Sequence, residues 1–201
     1  ELVDLKPTLA VQKLWDTGVG GGGEKLRLAL GLALDRGVLF TAARDGEVIA
    51  LDPATGRVKW SQDTKADLAA GPGVGASIAA VGTSDGKVIA LDVASGKVLW
   101  KVSVSSEVLA APLVTGDRVI VRSVDGRVHA LDALTGKSQW TGEEPVPKLS
   151  LRGTASPVLA KDNIVAGFDS GKVVAFTLAS GDIAWQAQVT TPGGRSELAR
   201  L

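Results

Sequence analysis

Cysteine and methionine are both missing from the 201 residues, histidine occurs once, and aromatic residues make up only 4% of the chain. Without cysteine there are neither disulfides nor thiolate metal sites, an absence that is neutral about redox compartment. A single histidine, His129, excludes a His-rich metal centre. Methionine is lacking even at position 1, so the first residue is expected to be a processed or engineered end, with any leader or anchoring residue removed. The longest apolar run, residues 28 to 34, stops at Asp35, far short of the roughly 20 residues of a membrane-spanning helix. Lys plus Arg and Asp plus Glu balance at 22 each with no basic block, so the footprint of a nucleic-acid or anionic-membrane binder is missing.

What is present is a repeat. Trp15, Trp60, Trp100, Trp140 and Trp185 are spaced 45, 40, 40 and 45 residues apart. From the second on, each closes a version of one phrase: DGEVIALDPATGRVKW, DGKVIALDVASGKVLW, DGRVHALDALTGKSQW and SGKVVAFTLASGDIAW. A period of about 40 to 45 residues is the length of one four-stranded propeller blade, which predicts an all-β propeller. In the second unit, alternation of apolar residues predicts strands over 67–74, 77–83, 87–92 and 97–102.

The turn chemistry agrees with that period. Asp45-Gly46, Asp85-Gly86 and Asp125-Gly126, with Ser170-Gly171 as a weaker version, fall between second and third strands, where a tight hairpin needs positive φ. D-x-x-[TS]-G falls between third and fourth strands, with Asp52, Asp92 and Asp132 as carboxylate turn locks and Gly56, Gly96 and Gly136 in the left-handed position. Thr177 replaces the Asp in the fourth unit. The large rings of Trp60, Trp100, Trp140 and Trp185 are expected to pack blade against blade rather than stack on a ligand.

The expected organisation is a closing strand and Gly-rich connector over 1–25, blades over 26–60, 66–100, 106–140 and 153–185, a docking loop over 141–152, and a connector to further blades over 186–201. Trp15 is expected on a strand from Val11 to Thr17 that closes a ring from its N-terminus. Four blades form half of an expected eight-bladed ring. A half-ring has open apolar faces, so self-association of two halves is a further expectation.

Three motifs bear on chemistry. Gly18 to Lys25 resembles a phosphate loop only superficially, because Glu24 separates the last Gly from Lys25 and Leu26 follows, so it is expected to be a flexible connector. His129 occupies the slot of Ile49 and Ile89, with no Ser, Cys or acid expected beside it in a triad-like arrangement. Acidic residues recur with the repeat instead of clustering, so no catalytic constellation, metal site or cofactor is expected. The third motif is the most individual stretch, Glu143 to Pro157, in a linker five residues longer than the two before it. Leu149, Leu151 and Arg152 are there either apolar anchors and a charge for docking a partner, or the start of a strand; spacing alone leaves both readings open.

The A-L-D-x-x-[TS]-G-x-x-x-W phrase is identified as the pyrroloquinoline-quinone-type propeller repeat. The quinoprotein alcohol dehydrogenases carry it, but their vicinal cysteine pair is excluded here and no matching calcium carboxylates stand out. The chain more closely resembles the BamB family, the propeller lipoproteins of the outer-membrane β-barrel assembly machinery, through W-D-T-G-V-G at 15–20, L-S-L-R-G-x-x-[SA]-P at 149–157 and P-G-G-R-S-E-L-x-R-L at 192–201. The resemblance covers about half of that family's length. It implies a non-enzymatic scaffold of the BAM complex on the periplasmic face of the outer membrane, held by a lipidated cysteine outside this chain. It implies docking onto the POTRA domains of BamA through Leu149, Leu151 and Arg152, with further docking acids beyond residue 201. Unfolded outer-membrane protein strands are a second expected partner; a dehydrogenase fragment and a generic propeller adaptor are the alternatives.

Overall fold

The computed structural model describes residues 11–21, 29–146 and 155–190, and those residues contain strands and turns but no helix. A two-residue strand, β1 (Ala29–Leu30), precedes four antiparallel four-stranded sheets. Blade 1 contains β2 (Leu32–Asp35), β3 (Val38–Ala42), β4 (Glu47–Leu51) and β5 (Val58–Asp63). Blade 2 contains β6 (Leu68–Gly75), β7 (Ile78–Thr83), β8 (Lys87–Asp92) and β9 (Val98–Ser103), and β1 lies parallel to β6 at its edge. Blade 3 contains β10 (Leu113–Val114), β11 (Arg118–Arg122), β12 (Arg127–Asp132) and β13 (Ser138–Glu143). Blade 4 contains β14 (Val158–Ala160), β15 (Asn163–Gly167), β16 (Lys172–Thr177) and β17 (Ile183–Gln188). The architecture is a β-propeller of four-stranded blades.

Strands in the middle of blades 2 and 3 are apolar on both faces because each face meets a neighbouring blade. In blade 3, Val119, Val121 and Leu131 join the core shared with Ile78, Ala80 and Val88 of blade 2. Ile120, Val128 and Ala130, one residue out of phase, join the core shared with Ile164, Val174 and Phe176 of blade 4. Alternate residues thus serve alternate interfaces, as the pleat requires.

Trp60, Trp100 and Trp140 each couple one blade to the next. The ring of Trp60 lies against Gly96, that of Trp100 against Gly136, and that of Trp140 against Gly181. Their indole N–H groups donate to the carbonyls of Val93, Ala133 and Leu178 at 2.8, 2.9 and 2.9 Å. The acceptor is always the residue after the first position of the D-x-x-[TS]-G turn, or of its blade 4 counterpart. A Cβ on Gly136 would stand 2.8 Å from Trp100 Cδ2, so that glycine answers two demands at once, the close ring and a φ of +71°. The phrase A-L-D also has its reason here: Ala50, Ala90, Ala130 and Ala175 pair directly opposite the four tryptophans, and a bulge follows each.

The carboxylates brace the same turns. Asp52 accepts from the amides of Ala54 and Thr55 at 3.0 and 2.9 Å, and Asp92 and Asp132 each accept from the amide three residues on at 2.8 Å. In blade 4 the hydroxyls of Thr177 and Ser180 lie 2.8 Å apart at the corresponding positions.

The N-terminal segment departs from expectation. Residues 11–21 form no strand, because none of the four sheets offers them a ladder of hydrogen bonds. Trp15 nevertheless packs on Gly56 and donates to the Pro53 carbonyl at 2.9 Å, the same coupling as between blades. The Gly-rich stretch is pinned as far as it is described: the amides of Gly20 and Gly21 donate to Glu47 and Asp45 at 3.2 and 2.9 Å. Those amides face carboxylates, the opposite of a phosphate cradle. At the two ends, Leu32 and Leu34 of blade 1 and Trp185 of blade 4 are exposed, whereas Trp100 and Trp140 are buried.

Candidate partner-docking junction

The four copies of the repeat act as controls for one another. Linkers leaving blades 1, 2 and 3 each cross the hairpin glycine of the blade just completed, where the amides of Thr64, Val104 and Glu144 donate to the carbonyls of Gly46, Gly86 and Gly126 at 2.9, 2.8 and 3.1 Å. A second equivalent set is Ala42, Gly82, Arg122 and Gly167, which pair with Val48, Val88, Val128 and Val173. In the first two blades both positions are neutral. In the third they are Glu144 and Arg122, each less than a twentieth exposed.

These two are the buried acid and the buried guanidinium among the described residues. Lys172 Nζ of blade 4 meets Glu144 Oε1 at 2.8 Å, so the ion pair spans the junction. The guanidinium of Arg122 stacks over the Phe168 ring, 4.7 Å from its centroid, while Nε and Nη2 have no hydrogen-bond partner. Burial lowers the pKa of Arg122, opposed by the charge of Asp169. At the preceding junction Gly82 leaves room for the linker side chain of Val108, which packs directly on it. The linker that crosses at Arg122 is the one lengthened by five residues.

His129 lies in the same blade, and two serines and an acid gather near it, though not in a triad-like arrangement. Its Nε2 is 3.0 Å from Ser123 Oγ and 3.2 Å from Ser105 Oγ, and Ser123 in turn donates to Asp125. The hairpin folds Ser123 and Asp125 back onto the ring, and the blade 2 to 3 linker delivers Ser105. The order of groups is not that of a triad: Nδ1 faces Thr141 at 3.4 Å, and the carboxylate holds the serine instead of the imidazole. Burial lowers the His129 pKa, with Asp125 raising it and Arg127 lowering it in smaller measure. Neutral imidazole tying a linker to a hairpin is a structural arrangement.

Leu149, Leu151 and Arg152 lie outside the described residues. The described flanks place the ends of their segment at this junction: Val146 packs with the apolar core of blades 3 and 4, and Pro157 is buried where blade 4 begins. The model of the family described as outer membrane protein assembly factor BamB matches residues 12–70 and 44–201. The chain belongs to the BamB family. The outer membrane protein assembly factor BamB of Alkalilimnicola ehrlichii is 58% identical over the whole chain, which spans 52% of that protein. Among solved structures, BamB from Moraxella catarrhalis superposes with a TM-score of 0.79 at 30% identity, covering 87% of this chain and 53% of that one. The chain spans about half the length of the curated relatives it matches. A quinohemoprotein alcohol dehydrogenase from Comamonas testosteroni shares the fold alone, with a TM-score of 0.65 at 20% identity over 82% of this chain and 35% of that one.

No group of three or more His, Asp or Glu among the described residues can hold a metal ion, and the sequence has no cysteine. A groove of about 370 Å³ between blades 1 and 2 on the same rim is lined by Asp45, Lys65, Asp67, Ser84, Asp85 and Lys87. Its lysines are already paired, Lys65 with Asp63 and Lys87 with Asp85, and of its aspartates Asp67 meets Arg44 at 3.7 Å while Asp45 accepts from the Gly21 amide.

Proposed function

We propose that this chain is part of a non-enzymatic scaffold of the β-barrel assembly machinery, which assists outer-membrane protein assembly by docking onto BamA POTRA domains. Family membership supports the general role, since the relatives are named as outer membrane protein assembly factors. The observation that carries the docking reading is the third junction, where the lengthened linker and the buried charges of Arg122 and Glu144 coincide. Leu149 and Leu151 supply apolar anchors in this reading, and Arg152 a charge-assisted hydrogen bond for register. The site of action is the periplasmic face of the outer membrane.

The test is co-purification of the full-length protein with POTRA domains after Leu149→Ala and Arg152→Ala are combined. Loss of binding with unchanged circular dichroism is expected, because truncating a desolvated charged contact costs about 2 to 5 kcal/mol. Undiminished binding would defeat the site assignment. The exposed Trp185, Leu32 and Leu34 support one further reading, that the half-ring alone self-associates through its end faces. A monomer mass at micromolar concentration in light scattering would exclude it. β17, exposed at every residue, is the edge we assign to pairing with unfolded outer-membrane protein strands.

A further inference from the structure

We propose that Glu144 and Lys172 are positioning residues for docking: their ion pair fixes the start of the third linker, residues 144–146, against blade 4. This inference rests on the docking reading above. The repeat shows that the fold does not need a charge at this position. Thr64 returns its hydroxyl to the Gly46 carbonyl, and Val104 packs on the apolar core of blades 2 and 3. A buried carboxylate carries a desolvation cost that neither alternative has, and a buried pair is weak evidence for stability. What it adds is direction. Apolar packing tolerates sliding, whereas a 2.8 Å contact between Lys172 Nζ and Glu144 Oε1 fixes one register of linker against hairpin.

The neighbouring residues reinforce that register. Pro145 restricts φ immediately after the pair. Val146 reaches the core of blades 3 and 4, and a Cβ on Gly126 would stand 2.8 Å from its Cγ1, so the linker is seated tightly on the hairpin. Lys172 belongs to the β15–β16 hairpin that also presents Phe168 to Arg122. Three successive residues, 144 to 146, are therefore fixed by charge, by ring geometry and by apolar contact just before the insertion begins.

The experiment uses the full-length protein and purified BamA POTRA domains, with affinity and melting temperature measured on each variant. Glu144→Gln and Lys172→Met are each expected to weaken binding about tenfold, the scale of residues that act through others. The double exchange Glu144→Lys with Lys172→Glu restores the pair and is expected to recover most of the affinity, which a merely destabilising change would not do. Glu144→Asp, which keeps the charge and shortens its reach, serves if Glu144→Gln fails to fold, and an intermediate loss is expected. Binding within twofold of the parent in the pair variants, alongside loss in the Leu149 and Arg152 variant, overturns this proposal and leaves the docking reading standing. Full binding in the Leu149 and Arg152 variant overturns the docking reading and this inference with it.

Discussion

Replacing Gly136 by alanine tests the coupling that joins blade to blade. Gly136 has a φ of +71°, and a Cβ there would stand 2.8 Å from Trp100 Cδ2 and Cε3 and 2.9 Å from Val102 Cγ1. The backbone conformation alone costs alanine about 1 to 2 kcal/mol. Pushing a buried indole out of a packed interface adds about 1 to 3 kcal/mol, and the Trp100 N–H bond to Ala133 is put at risk for about 1 more. Gly37 supplies the control, since its φ is +73° but nothing lies within 4 Å of its Cβ position. Urea denaturation followed by far-UV circular dichroism should give Gly37→Ala only the conformational cost and Gly136→Ala about 2 to 5 kcal/mol. In a Trp100→Ala background the Gly136 substitution should fall toward the Gly37 value, keeping only what the 2.9 Å approach to Val102 Cγ1 adds, a coupling that a double-mutant cycle reads directly. Equal losses for the two glycines in the parent protein would refute the reasoning.

Two further outcomes follow from the same geometry. Trp140→Ala should cost about 3 to 5 kcal/mol, whereas Trp185→Ala in this chain should cost much less, because the first residue is 9% exposed and the second 45%; equal costs would contradict the link between ring burial and stability. Stability should also fall in two pH steps. Burial lowers the His129 pKa, so the folded state favours neutral imidazole, and that contribution is present above about pH 6.5 and lost as pH falls below it. Hydroxyl bonds from Thr55, Ser95 and Thr135 hold Asp52, Asp92 and Asp132 below the usual carboxylate range, so their contribution is present above about pH 4 and lost as pH falls through their depressed values. Urea midpoints measured from pH 8 to pH 2.5 check both, and His129→Gln should remove the upper step only.

The blades were legible because each is specified locally, by an Asp-Gly hairpin, an Asp-braced turn and alternating apolar residues within 40 positions. Gly136 was legible as a turn residue, yet its role as the receptor of Trp100 was not, since the ring comes from another blade 36 residues earlier. The strand expected around Trp15 failed for a related reason: indole packing and ladder pairing are separate demands, and only the first has a partner here. His129 gained neighbours the linear sequence does not place beside it, Ser105 arriving from a linker and Ser123 from the β11–β12 hairpin. Arg122 and Glu144 were missed although a signal existed. Aligning the four copies position by position puts charge where the earlier copies have Ala, Gly, Thr or Val, and that comparison finds the third junction from sequence alone.

Hydrogen exchange on the full-length protein, with and without BamA POTRA domains, tests the assignment of the docking face most directly. Protection on binding is expected over residues 143–158 and the hairpin at 168–172. Protection confined to the groove between blades 1 and 2, or to the opposite rim around Asp52, Asp92 and Asp132, would place the partner elsewhere and contradict the account.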